Sequence, residues 1–484
     1  MFLLHEWIGR HAEAAPEGIA LIEGERTLTF AELERRVAAG ASLLSAADLA
    51  PGDRALILCR NSIDTVVAIW STLRAGGVIV PVGADDRPAR IRGIADDCGA
   101  RLTIAPEKLA ASIDGVKGIT TTFAAIERVD LDLAAIIYTS GTSGEPKGVM
   151  LAHRNLTNTS AAIAQYLGQR ADDITCCVLP LNFSYGLFQL FVAGMVGSSL
   201  LLEPSFAFPF DVLRRIRQYR ATMLPGVPTL FARLLGMLPL EGIDLGSLRL
   251  MTNAAAAIPP AHVLRLAEAF PRVRFFAMYG QTECTRATYL DPALSTQFAD
   301  SVGRAIPNCE AYLVDEHHRR LPNGSEGELV IRGANVMRGY WGRAEQTAAK
   351  LIAGPLPGER VLLTGDRFRT DAQGLLYFIS RNDDIFKCRG EKVAPAAIEH
   401  VLYQMPGIAE AAVVGVEDAS DGMAIKAIIV PVEGQAISEQ VIRKHCRAHL
   451  DPAFMPKFIE MRGALPKTAS GKLLRRALTE EAAH

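Results

Sequence analysis

Apolar and polar positions along this chain alternate in blocks that favour a helix, then a strand, then a helix again. Residues 3–14 read as a helix, residues 18–28 as a short strand pair, and Thr29-Phe30-Ala31-Glu32 opens a second helix. That tetrad has the capping-box pattern, in which Thr29 and Glu32 satisfy each other's orphan N–H groups. Residues 55–59 predict a strand, 64–74 a helix and 77–82 a further strand. The alternation runs to about residue 230 and predicts parallel sheets covered by helices. Over 310–333 it shortens to alternating strands around a Pro322-Asn323-Gly324 turn, which predicts a small antiparallel subdomain.

Residues 374–378 read as one more strand, and the polar stretch Arg381 to Gly390 (RNDDIFKCRG) follows. Beyond it, 394–404 predicts a helix, and 411–416 and 425–430 predict strands. The expected fold class is α/β: a large N-terminal domain of helix-covered parallel sheets plus a small antiparallel subdomain, with a separate small α+β C-terminal domain. The expected domains are 1–382 and 383–484. Local composition leaves the polar stretch open between a hinge linker and a surface loop.

A chain of 484 residues exceeds what one core holds, in keeping with that division. The net charge of −2 gives no reason to expect nucleic acid or an anionic membrane as partner. Eight scattered cysteines without a C-x-x-C pair argue for free thiols in a reducing cytoplasm and against a zinc site. Glu6 comes too early for a signal peptide, so a cytoplasmic location is expected. Residues 174–202 carry no charge and are long enough to cross a bilayer. Pro180, Asn182, Ser184 and Gln189 interrupt them, which favours a buried strand and helix lining a pocket.

Chemistry gathers first at Ala134 to Gly148 (AAIIYTSGTSGEPKG), where an apolar strand delivers a loop with four hydroxyls and three glycines in the ten positions from Thr139. Glycines let the backbone approach a ligand, and hydroxyls with bare N–H groups suit phosphate oxygens. Lys147 does not meet the G-x-x-x-x-G-K-[ST] spacing of a P-loop NTPase. Tyr279-Gly280-Gln281-Thr282-Glu283 ends a strand with a ring, a hydroxyl and a carboxylate, groups suited to a base, a phosphate and Mg²⁺. Thr364-Gly365-Asp366 offers a strand-end carboxylate for a ribose, or is a plain turn. Pro466 to Lys472 (PKTASGK) is either a solvated basic helix end or a lysine positioned to meet phosphate charge.

These stretches occur together and in order with LRAGGVIVP (Leu73 to Pro81), GELVIRGANVMRGYW (Gly327 to Trp341) and the segment from Arg381. On them the chain closely resembles, over nearly its whole length, the adenylate-forming superfamily of acyl-CoA synthetases, peptide-synthetase adenylation domains and luciferases. The resemblance implies attack of a small-molecule carboxylic acid on the α-phosphate of ATP, loss of pyrophosphate, and transfer of the acyl group from acyl-AMP to a thiol. The implied acceptor is CoA or the phosphopantetheine of a separate acyl carrier protein.

By similarity, Thr139, Ser140, Gly141, Thr142, Ser143 and Gly144 hold the β- and γ-phosphates, with Lys147 at the loop's end. Thr282 touches the α-phosphate and Glu283 binds Mg²⁺. Tyr279 stacks on adenine beside Gly280, Gln281, Ala254, Ala255 and Phe378. Asp366 holds the ribose, Arg381 assists there, and Lys472 bridges the carboxylate and α-phosphate. Asp383 stands at the family's pivot for rotation of the small domain, which raises the hinge reading.

Two departures narrow the acid. Asn253-Ala254-Ala255-Ala256-Ala257-Ile258 stands where many members read S-G-G-A-P-L. Ser184 stands where amino-acid-activating members carry an Asp for the α-ammonium. A buried ammonium without a counter-ion costs on the order of 2–5 kcal/mol, so an aliphatic or aromatic acid is expected rather than an α-amino acid. Phe183, Ser184, Tyr185, Leu187, Asn253, Met278 and Cys284 are the candidate pocket wall, or plain core. A non-catalytic nucleotide-binding module remains the alternative from another class, against which Lys472, Glu283 and Asp366 all argue.

Overall fold

The computed structural model describes residues 3–115, 123, 126–140, 146–240, 242–388, 391–418, 422–432, 434–435, 437–467 and 473–482. Two large sheets dominate the N-terminal part. One runs in the order Arg304–Ala305, Thr288–Tyr289, Arg274–Tyr279, Leu250–Asn253, Met223–Gly226, Ile174–Cys177, Ser199–Leu202, Ile19–Glu23, Arg26–Thr29. Its six middle strands, from Arg274–Tyr279 to Ile19–Glu23, pair only with parallel neighbours among themselves. The other sheet contains the parallel strands Leu102–Ile104, Arg54–Cys59, Val78–Gly83 and Leu133–Ser140.

Helices cover both sheets, and their packing explains the uncharged stretch of 174–202. It forms strand, helix and strand, and no helix among the described residues is long and apolar enough to cross a membrane. The central helix, Ser184–Val196, is apolar on nearly every side because it is enclosed between layers. Phe191 meets Trp70 edge-on at 5.8 Å, and Trp70 meets Trp7 at 6.3 Å.

The antiparallel subdomain pairs Cys309–Val314 with Glu326–Gly333, and that strand with Arg360–Thr370. Leu376–Arg381 adds to the far side of Arg360–Thr370. This last strand starts later than the 374–378 expected from its apolar run. Gly374 has φ +80° and Asp371 Oδ1 accepts from the N–H groups of Gln373 and Leu375, so the first apolar residue belongs to a turn.

Beyond Asp383 the chain builds a separate core. Ile408–Asp418, Gly422–Pro431 and Phe458–Met461 form a three-stranded sheet, covered by Pro395–Tyr403 and Glu439–His449. Large apolar side chains cluster up to Tyr377 on one side and from Cys388 on the other. The short helical turn Asn382–Asp384 lies between, with Asp383 exposed.

The N-terminal helix is fastened by two enclosed histidines. The Leu4 N–H donates to His153 Nδ1 at 3.4 Å, and the His5 and His153 rings meet edge-on at 6.0 Å. Burial, with the cations Arg74 and Arg128, lowers His5 to about 4. Burial, with His5 and Arg128, lowers His153 to about 3. Both are neutral in the fold, so the unfolded chain binds protons first as pH falls. Stability should be full above pH 6.5 and decline below it, by up to about 1.4 kcal/mol per pH unit for each histidine. Urea midpoints measured from pH 7 to 5 should fall, and less so in His5→Gln/His153→Gln; a midpoint insensitive to pH would contradict this account.

Candidate active site

Parallel strands present their carboxyl ends together, and in open α/β sheets that edge is where ligands bind. Here Gly226, Asn253 and Ala277 stand in register across three strands, with Met278 and Tyr279 just beyond. The half-buried Tyr279 hydroxyl donates to Asp366 Oδ2 at 2.6 Å. Gln281 Nε2 donates to the Tyr279 hydroxyl and to the Thr364 carbonyl, each at 3.1 Å. Burial, reinforced by the Asp366 carboxylate, pushes the Tyr279 phenol well above its ordinary range, which keeps it a proton donor.

The T-G-D turn is braced from three directions. Thr364 Oγ1 donates to the Leu329 carbonyl at 2.8 Å and accepts from the Asp366 N–H at 3.2 Å. Gly365 has φ +78°, and its N–H donates to Glu328 Oε1 at 2.8 Å. A side chain at Gly365 would strain the backbone and crowd Lys350 Nζ. Asp366 faces Arg381 in register on the neighbouring strand, with Arg381 Nε 3.4 Å from Oδ1. Phe368 links Tyr279 to Phe378, with edge-on ring contacts of 4.9 and 5.5 Å.

A second carboxylate lies four residues past Tyr279. Glu283 Oε1 accepts from the Tyr340 hydroxyl at 2.7 Å. Tyr340 pairs with Val149 in the strand Pro146–Ala152, and the Trp341 N–H donates to the Gly148 carbonyl at 2.8 Å. Lys147 Nζ sits 5.6 Å from the Tyr340 ring centre. Thr139 pairs with Lys147, so the loop emerges from an antiparallel hairpin. Tyr340 was not among the sequence-derived candidates, although the R-G-Y-W run holds it. The buried Thr282 hydroxyl makes no hydrogen bond with a described residue.

Gly141, Thr142, Ser143, Gly144 and Lys472 lie outside the described residues. Lys472 is flanked by an antiparallel bridge between Lys467 and Leu473, and Lys467 Nζ holds Glu410 at 2.6 Å. Ser140 is in the strand Leu133–Ser140.

The candidate pocket residues gather where three elements meet. Ser184 and Tyr185 begin the helix Ser184–Val196, with Phe183 half-buried before it. Gly186 permits this start, since a Cβ there would lie 2.2 Å from the Pro180 carbonyl oxygen. Tyr185 donates to Thr252, and Tyr166 donates to the sulfur of Met278 at 3.0 Å. Asn253 Nδ2 donates to the Ala256 carbonyl, while its enclosed Oδ1 has no partner among the described residues. Ala254 is buried, and the half-buried Ala255 holds φ +74°, a left-handed conformation better suited to glycine. Leu187 and Cys284 are fully enclosed in the main core.

A family model described as AMP-binding enzyme matches residues 8–341, and one described as AMP-binding enzyme C-terminal domain matches 397–472. Feruloyl-CoA synthase from Amycolatopsis sp is 32% identical over 98% of this chain and 97% of its own. Tyrocidine synthase 3 from Brevibacillus parabrevis is 30% identical over 98% of this chain, which spans only 8% of that synthase. Among solved structures, o-succinylbenzoate CoA synthetase from Bacillus subtilis, in complex with its acyl-adenylate intermediate, superposes with a TM-score of 0.84. It is 28% identical, with 98% of this chain and 97% of that one covered.

Gly280 lies where the strand end turns back on itself. A Cβ there would stand 2.8 Å from the Thr285 carbonyl oxygen and 2.9 Å from Arg286 Cα. Gly280→Ala should therefore cost about 1–3 kcal/mol, the scale of forcing extra volume against fixed backbone. Thermal melting checks this, and an unchanged melting temperature would show that the turn can yield.

Proposed function

The chain belongs to the AMP-binding enzyme family, and from that footing we propose that it activates a carboxylic acid with ATP as an acyl-adenylate and passes the acyl group to a thiol, most directly that of CoA. The observation that carries this reading is the strand-end cluster in which Tyr279, itself held by Gln281, and Arg381 converge on Asp366 while Glu283 stands four residues past Tyr279. One relative is named a CoA synthase and one solved structure a CoA synthetase, the latter holding an acyl-adenylate. Those names support an enzyme and lend nothing to a non-catalytic module.

A carboxylate resists acylation because its charge repels nucleophiles and oxide is a poor leaving group. Attack of a carboxylate oxygen on the α-phosphorus forms a mixed anhydride and breaks the bond to pyrophosphate. The thiol then attacks the acyl carbon, and AMP departs with the carboxylate oxygen. Asp366, oriented by Tyr279 and Arg381, accepts from ribose hydroxyls; the Thr282 hydroxyl donates to an α-phosphate oxygen. Glu283 offers a hard oxygen donor steadied by Tyr340, a group that fits Mg²⁺. When bound, Mg²⁺ neutralises charge on the phosphates. Lys472 supplies positive charge at the α-phosphate, and Asp383 is the pivot that withdraws it before thioester formation.

The substrate is an acid without an α-ammonium group, since Ser184 gives no counter-ion. The second reading of the acceptor, a carrier protein's phosphopantetheine, draws on the similarity to tyrocidine synthase 3. Pyrophosphate release over a panel of carboxylic acids, with and without CoA, tests the proposal. Turnover that requires CoA favours the synthetase, turnover restored only by a carrier protein favours the second reading, and no release with any acid overturns both.

Lys472→Ala should slow adenylation by roughly 10² to 10³, the scale of losing one charged transition-state contact. Thioester formation from supplied acyl-AMP should survive; equal loss in both halves would contradict the pivot. Tyr340→Phe should raise the Mg²⁺ concentration for half-maximal rate by about 10-fold, and an unshifted requirement would show that this hydroxyl does not steady Glu283.

A further inference from the structure

One cation beside the candidate pocket has no counter-charge among the described residues. Arg286 is 4% exposed, and its guanidinium makes no hydrogen bond or ion pair with any described residue. Nε is enclosed without a partner, and Cζ lies 4.7 Å from the centre of the Tyr185 ring. Other sheltered arginines in this chain are treated differently: Arg249 grips Asp173, and Arg475 grips Glu399 with two bonds of 2.6 and 2.7 Å. The hydroxyls beside Arg286 are also committed, that of Tyr185 to Thr252 and that of Tyr166 to Met278.

The backbone holds Arg286 in this position at a cost. Thr285, a β-branched residue, sits at φ +56°, a conformation such residues rarely adopt. Its Oγ1 lies 3.0 Å from Thr159 Oγ1, and the Arg286 N–H turns sharply back to the Cys284 carbonyl at 2.6 Å. Asn335 Nδ2 donates to the Arg286 carbonyl at 2.8 Å. Strain of this kind persists only where the surroundings over-determine it, and here it aims one guanidinium among the pocket tyrosines.

An enclosed, unpaired charge is destabilising, and a planar guanidinium is matched geometrically by a carboxylate. We infer that Arg286 receives a second carboxylate of the substrate, so that the acid activated is dicarboxylic, one end adenylated and the other held against the Tyr185 face. The inference rests on the proposed ligase activity and sharpens its substrate class. It also gives Ser184 a consistent meaning: the pocket lacks an anion for an ammonium and supplies a cation for an anion. A plain hydrophobic acid would leave Arg286 buried and unsatisfied.

The test compares pyrophosphate release by the full chain with aliphatic and aromatic dicarboxylic acids and with the monomethyl ester of each, which keeps the shape and removes the second charge. Wild type should prefer a diacid over its own ester by roughly 100-fold or more in kcat/KM, the range for removing one member of an enclosed charge pair. Arg286→Met should abolish that preference and leave the ester's rate equal or higher, while Arg286→Lys keeps part of it. Arg286→Met should also melt no lower than wild type, because it removes an unpaired buried charge. Preference for the esters, or an equal fall with every acid in Arg286→Met, overturns the inference while leaving the ligase activity standing. No release from wild type with any acid overturns the activity itself, and this inference with it.

Discussion

The hydrogen bond from Tyr279 to Asp366 is the contact on which the site depends. It joins the carboxyl end of a parallel strand to a carboxylate 87 residues away in the antiparallel subdomain. Neither partner is useful without the bracing behind it. Asp366 is fixed by the Thr364 hydroxyl, the Gly365 turn and Arg381 on the next strand. Tyr279 is fixed by Gln281, which reaches across to the same turn. A single carboxylate thereby reports whether two architectures are correctly docked.

A second long-range brace works in the same way. The short strand Gly339–Tyr340 adds to the edge of the hairpin that carries the hydroxyl-rich loop, and its tyrosine holds Glu283. Lys147, at the base of that loop, lies over the same ring. Lys147 and the candidate metal ligand thus meet at one aromatic side chain. The C-terminal part beyond Asp383 stands outside this network with its own apolar clusters.

What could be read from the sequence was local or collinear. Thr29 and Glu32 are three residues apart, and both halves of their capping box form, at 2.9 and 3.2 Å. The layered α/β architecture followed from periodicity alone, and the loop and strand-end motifs carried the family. The start of the strand at Leu376 did not follow, because Asp371 captures the preceding residues in a turn and no hydropathy pattern shows that. Tyr340 and Arg286 were missed for a different reason. Tyr340 is notable for a partner 57 residues distant, and Arg286 for having no ionic partner among the described residues, and neither property is written in a window of neighbouring residues. Arg286 also follows directly on the turn from Gly280 to Thr285, where a signal of strain is visible only in the backbone.

The central claim is that the carboxylate itself attacks the α-phosphorus of ATP. It is tested most directly by supplying an acid that supports turnover, labelled with heavy oxygen in both carboxyl positions, and analysing the phosphorus-containing products by mass spectrometry. Passage through an acyl-adenylate predicts one labelled oxygen in AMP and none in pyrophosphate. Label in inorganic phosphate, or unlabelled AMP, would contradict the account.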